Sequence, residues 1–309
     1  MVITMGRRER RKLFKNNPVM EREYVRLCAY FENLASTIFY WDGLPKGCRS
    51  SWVERKLYND GQLCYLHSNY KKDQYEGALI LPLAQGGQIN AYGDLTSYYC
   101  ISPIKTFKRT IDDAVLIRNN ELRVPTFRLI EPLIFELADI RAAMQINRNN
   151  ACKTPAMFRV TDKKQLSALN AYKELVGNEP IILIDDLSGG LPADYHFGRE
   201  RAPYYGKELR EEYERVVAEI LTIMGIISNP VVKAERVNTI EAASNRGLVI
   251  DTIDSMLQCR RVDVDKINNM FKGTNLKCEI NNSYTFDMVM QGLGGMIGAD
   301  GQGSGANAT

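Results

Sequence analysis

The 309-residue chain is 45% apolar and 25% charged, which suits one large globular domain or two ordinary ones and excludes a disordered or fibrous protein. Net charge is only +3, from 40 basic and 37 acidic residues, so total charge does not mark a nucleic-acid binder and local distribution must decide. Seven cysteines without a C-x-x-C pair argue for reduced thiols over a disulfide or zinc framework, and neither a signal peptide nor an apolar run of the about 18 residues needed to span a bilayer is legible.

The chain opens on a basic arm, with Arg7, Arg8, Arg10, Arg11, Lys12 and Lys15 set against one acid, Glu9. Asn17-Pro18 reads as an N-cap with proline at the first helical position. The helix it starts carries Tyr24, Leu27, Cys28, Phe31, Leu34, Ala35 and Ile38 on one stripe and should end before Gly43. Ser51 and Glu54 have the spacing of a capping box for a short helix that stops at Asn59-Asp60-Gly61. From Gln62 to Val124, runs such as QLCYL, GALIL and AVLI alternate with Gly, Pro and Asn, which predicts a small antiparallel β region with Tyr92, Tyr98 and Tyr99 half-buried in it.

A second long helix should place Leu133, Leu137, Ile140, Met144 and Ile146 on its apolar face, with Pro132 in its first turn or at a kink and residues 147–150 at its end. A compact α/β insert follows: strand AMFRV, a helix capped by Asp162 and Gln165, buried strand IILID, then a Gly/Pro loop. A third helix from about Tyr205 to Met224 aligns Leu209, Tyr213, Val216, Ile220 and Met224, with its glutamates off that line. KAERVNTIEAASN, residues 233–245, is polar and reads as a long loop before a fourth helix that runs to about Phe271. NLKCEIN suits a strand. The last nineteen residues hold seven glycines and read as a disordered tail. The fold class is mainly α with β excursions (α+β): a helical hub with a β-rich and an α/β excursion.

Catalytic signals are thin. IILIDD resembles a Mg²⁺-holding strand, but GLPKGCRS lacks phosphate-loop spacing, so Asp185-Asp186 reads as a strand running into a turn. His67 and His196 stand apart on β or loop segments, so no triad or metal set is expected. No catalytic residue, metal or cofactor is assigned, and the chain is read as a non-enzyme. The six cations of the arm can follow a phosphate backbone, releasing counterions; with Phe14 the only aromatic among them, base stacking is not indicated. The glutamates of the third helix would repel a gripped duplex yet suit a conduit, where a rotationally symmetric ring multiplies each lysine into a circle of cations.

FYWDGLP, FELADI, NRNNACKTP, KKQLSALNAYKELVGNEPII, APYYGKEL and MGIISNPVVKAERVNTIEAASN, in that order, resemble the portal proteins (upper collar or head–tail connector proteins) of small short-tailed phages of Gram-positive hosts that prime replication with a terminal protein. The resemblance covers nearly the whole chain and is clearest from Phe135 to Asn245. It implies a twelve-subunit ring at one capsid vertex in the virion, assembled in the host cytoplasm. Such a ring is a conduit for double-stranded DNA in packaging and ejection. Its implied partners are further copies of itself, the major capsid and scaffolding proteins, the packaging ATPase (directly or through a packaging RNA) and the lower collar or tail, with no membrane.

On that pattern residues 1–17 are the arm, 18–61 a helical wing or hub segment, 62–125 the β-rich wing, 126–150 a stem helix and 151–204 the α/β clip. Residues 205–226 are a second stem helix, 227–245 the channel loop, 246–285 the helical crown or hub and 286–309 the glycine-rich tail. The resemblance implies that Lys233, Arg236, Asn238, Thr239 and Asn245 face DNA from the channel loop, where Ala234 stands in place of a relative's second lysine. It implies basic channel rings at Arg199 and at Lys207, the latter about one residue out of register, and nucleic-acid or motor docking by the arm. The competing reading is a monomeric or dimeric nucleic-acid-binding protein that uses the arm alone.

Overall fold

The computed structural model describes residues 14, 17–70, 76–84, 87–152, 156–160, 181–185, 203–226 and 239–281, with side chains left out at 150, 152, 156–160, 181–185 and 239–251. The chain divides into two compact units, Met1–Leu137 with Glu214–Thr309, and Ala138–Tyr213. Among the described residues no helix is long and apolar enough to cross a membrane.

The larger unit begins with α1 (Pro18–Ala35), where Asn17 Oδ1 accepts the Met20 N–H at 3.1 Å and Pro18 supplies a preset φ. Its buried side chains are Met20, Tyr24, Leu27, Phe31, Leu34 and Ala35, one 3.6-residue stripe. The helix ends earlier than the stripe suggests. Ile38 is still buried, but residues 39–42 form β1 (Phe39–Asp42), antiparallel to β9 (Lys277–Ile280). Phe39 and Trp41 point inward and Tyr40 and Asp42 outward, the period-2 pattern that suits aromatic residues in a strand.

Next is α2 (Ser50–Asp60), closed by Gly61 at φ +78°, whose N–H donates to the Leu57 carbonyl at 2.9 Å. A Cβ there would sit 2.4 Å from the Arg123 carbonyl oxygen, so only glycine fits. The expected capping box is absent. Its N-cap is Arg49, without a side-chain cap bond, and Glu54 is buried and engaged elsewhere.

The β region is antiparallel, as its punctuation predicts. Strands β2 (Gln62–Asn69), β3 (Glu76–Pro82) and β6 (Ala114–Arg118) form one sheet in the order β3-β2-β6, and β4 (Ser97–Ile101) pairs with β5 (Thr106–Thr110). Cys64, Leu66, Leu81, Tyr98, Cys100, Phe107 and Ala114 make its core. Tyr98 is buried and Tyr99 half-buried, but Tyr92 is exposed on a tight turn held by Asn90 Oδ1, which accepts the N–H groups of Tyr92 and Asp94.

Helix α3 (Thr126–Cys152) passes from the larger unit into the smaller and outlasts the asparagines expected to end it. Its start at Thr126 leaves Pro132 in the second turn, where the ring removes one helical hydrogen bond. In the larger unit its apolar face is set by Ile130, Ile134 and Leu137 rather than Leu133; further along, Ile140 and Ala142 are buried while Ile146 is exposed. The smaller unit holds the parallel pair β7 (Ala156–Val160) and β8 (Ile181–Asp185), in register Ala156 to Ile181. The helix expected between them and the loop after them lie outside the described residues.

Helix α4 (Gly206–Ile223) likewise runs between units, with Tyr213, Val216, Val217, Ile220, Leu221 and Met224 buried and Leu209 half-buried. Gly225, at φ +74°, turns the chain; a Cβ there would meet the Ile253 Cβ at 2.8 Å. Ile253 belongs to α5 (Thr239–Met270). That helix starts well inside the segment read as a channel loop ending at 245. Ile240, Glu241, Ala242 and Ala243 are helix formers or helix-tolerant; it is the polarity of the segment around them, not their propensity, that suggests a loop.

Candidate nucleic-acid interface

The positions expected to meet nucleic acid are distributed over three segments. Arm residues Arg7, Arg8, Arg10, Arg11, Lys12 and Lys15 lie outside the described residues, but the arm's root is fixed. Phe14 is buried against Tyr24 and Phe135, with ring centroids 5.4 and 5.9 Å away, and its carbonyl accepts the Asn17 N–H at 3.0 Å. Tyr24 donates to Glu131 Oε1 at 2.9 Å, and burial, with Cys28 and Glu131 adding, pushes its phenol upward, so it stays neutral. The one aromatic ring of the arm is therefore an anchor and not a platform for a base.

Lys207 stands in the first turn of α4, 84% exposed, 3.7 Å from Glu211 Oε1 one turn on. Glu208, Glu212 and Glu219 are exposed on the same helix. This is a solvated, mixed-charge face. An exposed i,i+4 pair is worth only about 0.3–0.5 kcal/mol, so the contact with Glu211 restrains Lys207 little. Arg215, further along, lies 3.9 Å from Glu136 of α3.

Of the loop residues, Lys233, Arg236 and Asn238 lie outside the described residues, as does Arg199. Thr239 and Asn245 are in α5, in its first two turns. Among the described residues, those two share one helix, and Lys207 stands on another. Asp185 ends β8; Asp186 and His196 are undescribed. His67 is stacked on Phe271 with centroids 4.6 Å apart and planes at 9°. Among the described residues no cluster of three His, Cys, Asp or Glu side chains could hold a metal ion.

What holds α5 in place was not legible in the sequence. Arg260 is 1% exposed, and all its donors face acceptors. Its Nε and Nη2 bind the two Glu54 oxygens at 3.0 and 2.9 Å. Nη2 also reaches Asn119 Oδ1 at 3.0 Å, and Nη1 donates to the carbonyls of Asn119 and Met256 at 2.9 and 3.1 Å. The guanidinium lies 4.1 Å from the Phe39 ring centroid, and Trp41 Nε1 donates to Glu54 at 2.7 Å. One turn on, Asp263 reverses the polarity and accepts three contacts from the Arg118 side chain and one from its N–H, at 2.9–3.1 Å. One fully buried pair and one half-buried pair therefore lock α5 to α2, β1 and β6. Asp263 holds the Arg118 guanidinium even further above its ordinary value.

The family model described as Phage Connector (GP10) matches residues 3–285. The chain belongs to this family, the portal proteins that serve as head–tail connectors in bacteriophage virions. Solved structures add three distant likenesses. A chain in the portal and tail of native bacteriophage P68 is 15% identical over 98% of this chain and 100% of its own, at a TM-score of 0.48. A chain in the virion of a native gene transfer agent particle is 14% identical over 94% and 88%, at 0.42. An HK97-family phage portal protein from Corynebacterium diphtheriae is 12% identical over 84% and 92%, at 0.40.

Proposed function

We propose that copies of this chain close head-to-tail into a twelve-subunit ring at one vertex of a capsid and form the passage for double-stranded DNA during packaging and ejection. The family match over residues 3–285 carries this reading. The role is structural, not enzymatic: the packaging ATPase, bound directly or through a packaging RNA, supplies the work. Capsid and scaffolding proteins hold the ring in the shell, and a lower collar or tail protein later binds its outer end. The phage is of the small, short-tailed, protein-primed kind with a Gram-positive host, as the ordered sequence stretches suggest.

In the ring Lys233, Arg236 and Asn238, with Thr239 and Asn245 at the start of α5, face the passing phosphates. Arg199 and Lys207 form further circles of cations. Arg7, Arg8, Arg10, Arg11, Lys12 and Lys15 dock the motor or its RNA, extending from the anchored Phe14. Rotational symmetry lets one modest cation per subunit count many times at one height, while the exposed glutamates of α4 keep the wall from gripping. Electron microscopy and analytical ultracentrifugation of the purified protein test this. A particle many times the 35.1 kDa chain mass with a central hole is expected. Single or paired molecules under every assembly condition would overturn the ring and leave the arm-based nucleic-acid binder.

A further inference from the structure

Over Glu76–Pro82, strand β3 is the edge of its sheet and pairs only with β2; just beyond it Leu83 bridges Cys100 of β4, which bounds the free edge at that end. Along residues 78–81 that edge lines an open groove of about 1210 Å³, whose opposite wall is built from α1, α2 and the turn before α2. Consecutive strand residues line it, so the groove follows the strand's edge and not one of its faces. The volume exceeds the ~300–1,000 Å³ of small-molecule sites and suits a length of chain instead. Its charged lining is mixed, with Lys46, Arg49 and Arg55 beside Glu32 and Glu76, so backbone pairing and apolar contact, not charge, would select an occupant.

An occupant starts at the groove's mouth. Asn281, the last described residue, donates its N–H to the Ile38 carbonyl at 2.8 Å and its Nδ2 to the Thr37 carbonyl at 3.2 Å. The next residue back, Ser36, lines the groove. Residues 282–309 contain Asp287 and Asp300 and no lysine or arginine. Their first part, NSYTFDMVM, puts Tyr284, Phe286, Met288 and Met290 at every second position, the spacing of a strand with one apolar face.

We propose that residues 283–290 dock along the free edge of β3 in the same chain, as an added strand between it and the helices. The unpaired backbone groups of β3 gain partners and the alternate apolar side chains enter the groove, while Thr285, Asp287 and Val289 fall on the opposite face of the added strand. At about 3.3 Å per residue, eight residues reach roughly 26 Å, enough to run the length of the seven-residue β3. The assignment concerns a single chain and stands or falls independently of the ring.

Hydrogen exchange on the full chain, on a chain stopped after Asn282 and on one stopped after Met290 reads the docking directly. The first and third should protect the outward amides of residues 78–81 equally, and the second should lose roughly tenfold or more of that protection. Cys48, half-buried in the groove wall, should react faster with a thiol reagent by a similar factor in the short chain. Burial holds its thiol up to about 11, so both chains are compared at one alkaline pH. The full-length Phe286→Asp/Met288→Asp variant should behave like the short chain, which separates docking from any loss of fold on truncation. Equal exchange and equal Cys48 reactivity in all four proteins would overturn the proposal. A Met288→Cys variant crosslinked to Cys48 in a mixture of heavy and light copies should give heavy–heavy and light–light products only; mixed products would overturn docking within one chain.

Discussion

Two charged pairs, Arg260–Glu54 on α5 and α2 and Lys207–Glu211 on α4, use the same chemistry to opposite ends. The first is 1% and 3% exposed, with every guanidinium donor engaged; the second is 84% and 60% exposed, with its groups 3.7 Å apart. Removing ions from water costs several kcal/mol each, so the buried pair persists only because Asn119, Met256 and Trp41 complete its hydrogen bonds. The exposed pair costs almost nothing to form or to break. A cation that can leave its partner for a passing phosphate must be of the second kind. The first kind holds elements of the larger unit together.

Breaking the buried member sharpens the contrast most. Arg260→Met leaves Glu54 uncompensated in the core and should lower unfolding free energy by about 3–5 kcal/mol. Arg260→Met with Glu54→Leu should recover a substantial part of that loss, because no charge is then stranded. Urea titrations of the three proteins give the comparison. Equal losses in the single and double variants would mean that packing against Phe39, not charge, sets the cost.

Neighbouring packing sets the next effect. Gly225→Ala forces a side chain onto a positive-φ position and into Ile253 at 2.8 Å. A loss of about 1–3 kcal/mol is expected, read as a fall in the midpoint of thermal or chemical unfolding. An unchanged midpoint would show that the close approach of the α4 end to α5 is slack.

These two sites also mark what a sequence can reveal. The α1 and α4 stripes and the β punctuation were legible because they are local periodicities, and Asn17-Pro18 because a cap is a short-range signal. The node at Arg260 was not. Glu54 and Asn119 lie 206 and 141 residues away, so nothing local marks Arg260 as buried. The same node explains the misread capping box, since Glu54 answers to Arg260 and Trp41 instead of its own helix end. The β1 residues read as helix because Ile38 continues the α1 stripe, and only the partner β9 decides for strand. Polarity in the sequence suggests a loop at Thr239 and Asn245, although composition that polar is compatible with a helix, which is what the backbone forms there. Of the candidate interface, the exposed character of Lys207 was legible, but the anchoring of Phe14 was not.

A smaller effect appears with acid. Glu121 accepts from Cys259 and binds Arg118, which together hold its carboxyl below the ordinary value. A depressed carboxylate contributes stability above its unfolded pKa and loses it as pH falls through the folded value. Glu121→Gln should therefore narrow the gap to the parent protein as pH drops below the usual carboxylate range. Parallel stability curves from pH 7 down to pH 3 would show that the contact contributes nothing.

The smallest expected change in stability is at Lys207. Lys207→Ala should leave the unfolding midpoint within about 0.5 kcal/mol of the parent, because its pair with Glu211 is exposed. If Lys207 contributes a circle of cations to the channel, the same variant should reduce the steepness with which DNA retention declines as salt rises, since fewer counterions are released per ring. Lys207→Arg keeps the charge and should keep the slope. A slope unchanged in Lys207→Ala, with stability also unchanged, would place this lysine among ordinary solvated residues and leave the channel's cations to the segment before α5.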